Sequence, residues 1–374
     1  MISRILQKRI EDRLFKGKAI LIFGPRQCGK STIVKTIFKD QVYLYLSGDE
    51  SNVREALSNT NVPTLRTLIG KNKIVVIDEA QRITNIGLTL KIITDQIQDV
   101  QVVATGSSAF ELSNQVNEPL TGRKYEFMLY PLSFAEMVEH HGFLTEKALI
   151  EHRLIYGYYP EIVVKQQEEK ELLKLISGSY LYKDLLMLDQ IKKPVILEKL
   201  LKALALQVGS EVSYNELSQI VGASYQTIEK YIDLLTKAYV IFVLPALSRN
   251  IRKEIRKGKK IYFYDCGIRN AIINNFKPFG SRTDVGALWE NYVISERMKF
   301  LYYRGIDATQ YFWRTTQQQV VDLIEEHEGG DLKAFEFKWK ENKRFRFPKT
   351  FTENYPGVKT YTISSENIEE FLII

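Results

Sequence analysis

The stretch Gly24-Pro25-Arg26-Gln27-Cys28-Gly29-Lys30-Ser31-Thr32 sets two glycines, a lysine and two hydroxyls at the spacing G-x-x-x-x-G-K-[ST]. That pattern binds phosphate. Gly24 and Gly29 allow the tight turn, and backbone N–H groups wrap a polyphosphate. Lys30 reaches its outer phosphates, and the Ser31 hydroxyl is placed for Mg²⁺. The apolar run AILIF precedes the loop and KSTIVKTIF follows it, so a strand should deliver it and a helix N-terminus should face the anion. The expected ligand is ATP with Mg²⁺. A glycine-bearing turn with a chance lysine is the alternative, and the flanking strand and helix argue against it.

A second acidic element supports the first. VVIDEAQ delivers Asp78 and Glu79 to the carboxyl end of a buried strand, where open α/β sheets bind ligands. Asp78 is the expected Mg²⁺-shell aspartate, and Glu79 the base that polarises the attacking water. In ATGSSAF, Thr105 or Ser107 is a candidate polar sensor of the γ-phosphate, with a serine-rich turn as the alternative. Arg123, in LTGRKYEF, is a candidate phosphate-reaching arginine, acting in its own or a neighbouring subunit. An ordinary solvated arginine is the other reading.

The last third carries a different pattern. Glu290 lies in the amphipathic stretch GALWENYVISERMKF, Asp322 in QVVDLIEE, and Glu336 and Lys338 alternate in KAFEFKWK, so those two share a strand face. Helix glutamate, strand aspartate, then E-x-K is the order used in metal-assisted phosphodiester hydrolysis, with carboxylates on Mg²⁺ and the lysine orienting water. Solvated charge on an antiparallel face is the plain alternative.

The elements that must position these groups follow from hydrophobic patterning. KAILIF, VYLYL, KIVVID, VQVVAT and KYEFMLY alternate with helical stretches, which predicts a parallel sheet covered on both faces. Further on, VILEKLLKALALQVGS, SYNELSQIVGAS and SYQTIEKYIDLLTKAYV read as three helices, with Gly222 at a turn and Ser224 opening the third. IFVLPAL and KKIYFYD would complete a winged helix. Arg249 to Lys260 holds seven Lys or Arg among twelve residues, and the chain carries a net charge of +7. Double-stranded DNA through this stretch and the winged helix is therefore the expected partner. The third helix offers few outward cations, Lys230 and Lys237, so protein docking stands beside DNA contact.

At 374 residues the chain is long enough for two to four domains. Two cysteines, Cys28 and Cys266, allow neither a disulfide framework nor a cysteine zinc site. No apolar run reaches membrane-span length and the start lacks an apolar core of a signal peptide, so a cytoplasmic location without membrane attachment is expected. Oligomeric state stays open.

GPRQCGKST, VVIDEAQ, TGSS, LTGR and YPLSFAE, in this order, resemble a large prokaryotic family of AAA-superfamily ATPases with a long C-terminal domain of unknown function. YGYYPEIV and SYLYKDLL are similar to its later signature, with Gly157 and Pro160 where the family has a G-x-P element near the nucleotide base. The end of the chain resembles the PD-(D/E)xK nuclease fold, although Val320 stands where a glutamate is frequent. The resemblance implies an α/β protein: a P-loop ATPase core at 1–130, a helical lid at 131–194, a winged helix-turn-helix at 195–265 and a nuclease-like domain at 266–374. It also implies ATP hydrolysis coupled to DNA, the alternative being an ATP-gated protein scaffold with an inactive nuclease-like domain.

Overall fold

The computed structural model describes residues 2–106, 119–180, 193–247, 258–340 and 345–373. Two compact units emerge, Met1–Pro131 with Lys237–Tyr239, and Leu132–Thr236 with Val240–Ile374. The described residues of the 131–194 segment expected as a lid fall, apart from Pro131, within the second unit.

The first unit holds strands β1 (Ala19–Phe23), β2 (Leu44–Ser47), β3 (Ile74–Asp78), β4 (Gln101–Gly106) and β5 (Lys124–Met128). They form one sheet in the order β2-β3-β4-β1-β5, with every pair parallel. β1, β3 and β4 are buried along their whole length, as near-continuous aliphatic runs must be when helices cover both faces. The order has a direct consequence. β4 lies between β1, which leads into the phosphate-loop motif, and β3, which ends at Asp78.

The second unit contains a helix, strand, helix, helix, strand, strand sequence: Pro194–Leu206, β6 (Glu211–Val212), Tyr214–Val221, Tyr225–Lys237, β7 (Ile241–Pro245) and β8 (Lys259–Phe263). The three strands pair antiparallel in the order β6-β8-β7. Gly222 closes the second of these helices in the left-handed region, φ 73°, and the Ser224 hydroxyl accepts from the Thr227 N–H at 3.2 Å. After the 20-residue helix Val285–Arg304 comes a second sheet of β9 (Ala308–Arg314), β10 (Val320–His327), β11 (Leu332–Phe337) and β12 (Lys359–Ile363), ordered β12-β11-β10-β9.

The 285–304 helix has buried residues on every side, including Asn291, Glu296, Arg297 and Lys299. Each of these polar groups is paired. Glu296 accepts from the Phe134 N–H at 2.7 Å, Lys299 donates to Glu296 and the Leu132 carbonyl, and Arg297 grips Glu325 through two bonds of 2.8 and 2.9 Å. A helix this polar is stable inside a domain only because its hydrogen-bonding capacity is used.

Gly157, expected near the nucleotide base, lies inside the second unit. A Cβ there would sit 2.1 Å from the Asp265 carboxylate, and its φ of 74° already favours glycine. The close approach lets the Tyr158 N–H donate to Asp265 at 2.6 Å.

Candidate functional site

The loop after β1 turns back on itself. The Lys30 ammonium, buried at the start of the helix Lys30–Ile37, donates to the carbonyls of Gly24 and Pro25, each at 2.9 Å. Gly29 caps that helix with φ 99°, and a Cβ on Gly24 would stand 2.2 Å from the Leu129 carbonyl oxygen. Glycine is required at both positions, by conformation at one and by crowding at the other. Arg4, which the sequence motif does not flag, donates to the Cys28 carbonyl at 2.8 Å and to the Tyr130 carbonyl at 2.6 Å. It ties the loop to the chain beyond β5. Arg4→Ala is expected to weaken ATP binding by about three- to tenfold, because the loop loses preorganisation. Titration with a fluorescent ATP analogue reads this, and unchanged affinity would assign Arg4 to stability alone.

Asp78 receives hydroxyls from three elements. Ser31 Oγ donates to Oδ2 at 2.8 Å, Tyr45 on β2 donates to the same oxygen, and Thr105 on β4 donates to Oδ1. Burial works against the Asp78 charge, but donation from Thr105, Tyr45 and Ser31 outweighs it and holds the carboxyl below its ordinary value. The Tyr45 phenol is pushed up by burial and by the Asp78 carboxylate. A hydroxyl and an ionised carboxylate meeting beside a phosphate loop are the oxygen donors Mg²⁺ selects, so the residues present fit that ion. Glu79 follows with φ 50°, an uncommon left-handed conformation for a non-glycine residue, and its carboxylate accepts from Gln81 Nε2 at 2.7 Å. Thr105, named as a sensor candidate, thus grips the acidic group directly. Ser107 lies outside the described residues.

Arg123 does not join this site. The Ala19 N–H donates to the Arg123 carbonyl, which puts Arg123 at the amino edge of a sheet whose carboxyl edge carries the loop. Its guanidinium pairs with Asp95 at 2.7 and 3.0 Å. Parallel strand direction separates it from the phosphate site of its own chain, which corrects the expectation of a reach in cis.

At the C-terminal end, electrostatic neighbours identify one cluster. Glu336 is raised to about 7, by burial first and then by the Asp322 and Glu290 charges, with Lys338 opposing. Glu290 is raised by burial and by Asp322. A bulge between Val321 and Ile324 locally breaks the register of β10 with β9 at Asp322. Each group nevertheless has a protein partner. Glu290 accepts from Lys260 Nζ at 2.8 Å and the Tyr262 hydroxyl at 2.6 Å, Asp322 from the Phe337 N–H at 2.9 Å, and Glu336 from Lys338 at 2.5 Å. Among the described residues no three His, Cys, Asp or Glu side chains are arranged to hold a metal. Glu290, Asp322 and Glu336 stand here as a carboxylate–lysine cluster in which Lys260 supplies a cation to Glu290, while the second Glu336 carboxylate oxygen is buried without a partner.

That cluster carries a pH prediction. Because the folded-state value of Glu336 lies above its ordinary 4.5, the folded chain holds the proton longer than the unfolded chain, and stability falls as pH rises from about 4.5 to about 7. Glu336→Gln removes this penalty. In chelator, denaturant unfolding should show the variant gaining on wild type by about 2–3 kcal/mol between pH 5 and pH 8. A pH-independent difference would contradict the assignment.

Lys260 also corrects the basic stretch. Strand alternation turns Lys260 inward, 6% exposed, beside Tyr262, so it is no phosphate contact. Residues 249–257 of that stretch lie outside the described residues. The outward residues of the 225–237 helix include Glu229, Lys230 and Asp233. None of the helices among the described residues is long and apolar enough to cross a membrane.

Residues 16–138 match the AAA domain family, residues 147–278 a domain of unknown function (DUF8612) and residues 285–369 another (DUF4143). An uncharacterized protein of Mycobacterium tuberculosis is 26% identical over 340 residues, covering 88% of this chain and 72% of that one. An uncharacterized protein of Haemophilus influenzae is 30% identical over 186 residues, covering 47% and 46%. Among solved structures, a Walker-type ATPase of Pyrococcus abyssi superposes with a TM-score of 0.52 at 15% identity, over 73% of this chain and 96% of that chain, a likeness of fold. The chain carries an AAA-superfamily P-loop ATPase domain followed by domains of unknown function.

Proposed function

We propose that the chain binds and hydrolyses ATP with Mg²⁺ and couples nucleotide state to DNA held by its C-terminal half. The observation that carries the ATPase reading is the Ser31–Asp78 hydrogen bond beside Lys30, which joins loop and acidic strand end at one point. Bound Mg²⁺ would neutralise charge on the outer phosphates and orient them. The chain's own residues do the rest. The Lys30 ammonium can exchange its two loop carbonyls for phosphate oxygens, the loop N–H groups hold the polyphosphate, and Glu79 takes a proton from the attacking water.

For the C-terminal half, the order helix, strand, helix, helix, strand, strand over 195–265 supports a winged helix, and the helix Val285–Arg304 followed by four strands supports a nuclease-like fold. Lys260 paired with Glu290 favours the second reading, an ATP-gated protein-docking scaffold in which this fold cuts nothing. Two experiments separate them. Duplex DNA should stimulate ATP turnover with a steep salt dependence, and reversing charge at Arg252, Lys253, Arg256 and Lys257 should flatten the log–log slope by about 0.9 per lost contact. Supercoiled plasmid with Mg²⁺ or Mn²⁺ should stay intact with wild type. Nicking lost in both Asp322→Ala and Lys338→Ala would reinstate a nuclease, and turnover indifferent to DNA would select the scaffold.

A further inference from the structure

An open groove of about 830 Å³ lies between the β6-β8-β7 sheet and the end of β9. One tyrosine opens onto it: Tyr225, 42% exposed at the start of its helix, its ring 5.7 Å from that of Tyr214, which starts the preceding helix and is buried. Lys259 Nζ stands 5.0 Å over the Tyr214 ring. Arg314 adds a second cation, paired with Glu211, so one charge of the groove is already compensated. The floor is fixed, because Ala246 bridges Phe312 and the Leu247 N–H donates to the Phe312 carbonyl at 2.7 Å.

An exposed tyrosine ring beside a cation suits a ligand built from flat π-systems and anions, which describes a nucleotide chain. A duplex is a poorer fit here. Glu229 and Asp233 lie on the outward side of the 225–237 helix, one and two turns on from Tyr225, and would repel phosphates laid along it, which favours a ligand that meets only the start of the helix.

We propose that this groove binds single-stranded nucleic acid, stacking a base on Tyr225 and pairing phosphate with Lys259. The inference deepens the DNA reading above and does not depend on ATP hydrolysis. Stacking on tyrosine is tolerant of base identity, so little sequence preference is expected.

The test uses the full chain and fluorescein-labelled dT10, followed by anisotropy without ATP or Mg²⁺. Tyr225→Ala should weaken binding about tenfold and Tyr225→Phe should retain it, since the ring and not the hydroxyl makes the contact. Lys259→Ala should flatten the log–log salt slope by about 0.7, with basal ATP turnover unchanged in all three. Lys165→Ala, at an exposed pair with Glu161, should bind as wild type. Wild-type affinity in both Tyr225→Ala and Lys259→Ala would overturn the assignment. Displacement of dT10 by equimolar AMP would make the groove a free-nucleotide site, and displacement by an oligoglutamate would make it a peptide dock; either sinks the proposal. Binding of a ten-base-pair duplex without binding of dT10 would also refute it, while leaving the broader DNA reading standing.

Discussion

Glu79→Gln is expected to leave ATP affinity within about twofold of wild type while lowering turnover by two to four orders of magnitude. Glutamine keeps the size of the side chain and an oxygen that accepts from Gln81, so the loop, Lys30 and Asp78 are untouched. What disappears is the group able to take the proton. Lys30→Ala gives the complementary result, because the outer phosphates lose the loop's cation and affinity falls first. Equilibrium binding and single-turnover hydrolysis measured together separate the two. A Glu79→Gln enzyme turning over at the wild-type rate would remove Glu79 from the mechanism.

Glu146→Gln is expected to lower the melting temperature of the second unit by about 10 °C. Glu146 is fully buried and accepts from Arg153 at 2.9 and 3.1 Å, from the Tyr158 hydroxyl at 2.6 Å, and lies 2.7 Å from His141 Nε2. Burial opposes the Arg153 charge, and the Glu146 carboxylate more than restores it. Removing one partner strands the other in a site that water cannot reach, which costs about 3–5 kcal/mol. In a unit of this size each kcal/mol moves the midpoint by roughly 2–4 °C. Glu161→Gln, in the exposed pair with Lys165, is the control and should produce no resolvable shift. Equal shifts in both variants would mean the buried network carries no special weight.

Local motifs were legible because their chemistry is local. The loop from Gly24 to Thr32 and the Asp78–Glu79 pair follow from a few consecutive residues, and three of the five strands of the parallel sheet, β1, β3 and β4, are largely apolar runs buried along their whole length. Arg4 and Tyr45 carry no such mark. Their partners, Cys28 and Asp78, are 24 and 33 residues away, and an arginine just ahead of a short helix reads as solvated. Lys260 shows how composition misleads. Seven cations in twelve residues argue for one basic surface, yet period-two alternation in Lys259-Lys260-Ile261-Tyr262 puts Lys260 and Tyr262 together on one face. That signal was present in the sequence and was outweighed by the charge count. Hairpin logic groups the C-terminal acids, and Glu290, Asp322 and Glu336 are electrostatic neighbours. Their occupation by lysine depends on a strand some thirty residues earlier, which no spacing rule reaches.

The buried helix Val285–Arg304 sets a timetable for synthesis. Phe134 and Leu132 are anchored to residues 162 and 167 positions downstream, so their capping partners are not yet made when they leave the ribosome. At about 5–20 residues per second the wait is roughly ten to thirty seconds. The first unit, whose strands end at Met128, can close during that interval; the second cannot begin to close around a helix that does not exist. Apolar side chains such as Phe134 and Leu154 must stay solvated or shielded meanwhile, which makes the nascent second half a natural client for chaperones and a slow partner in refolding from denaturant.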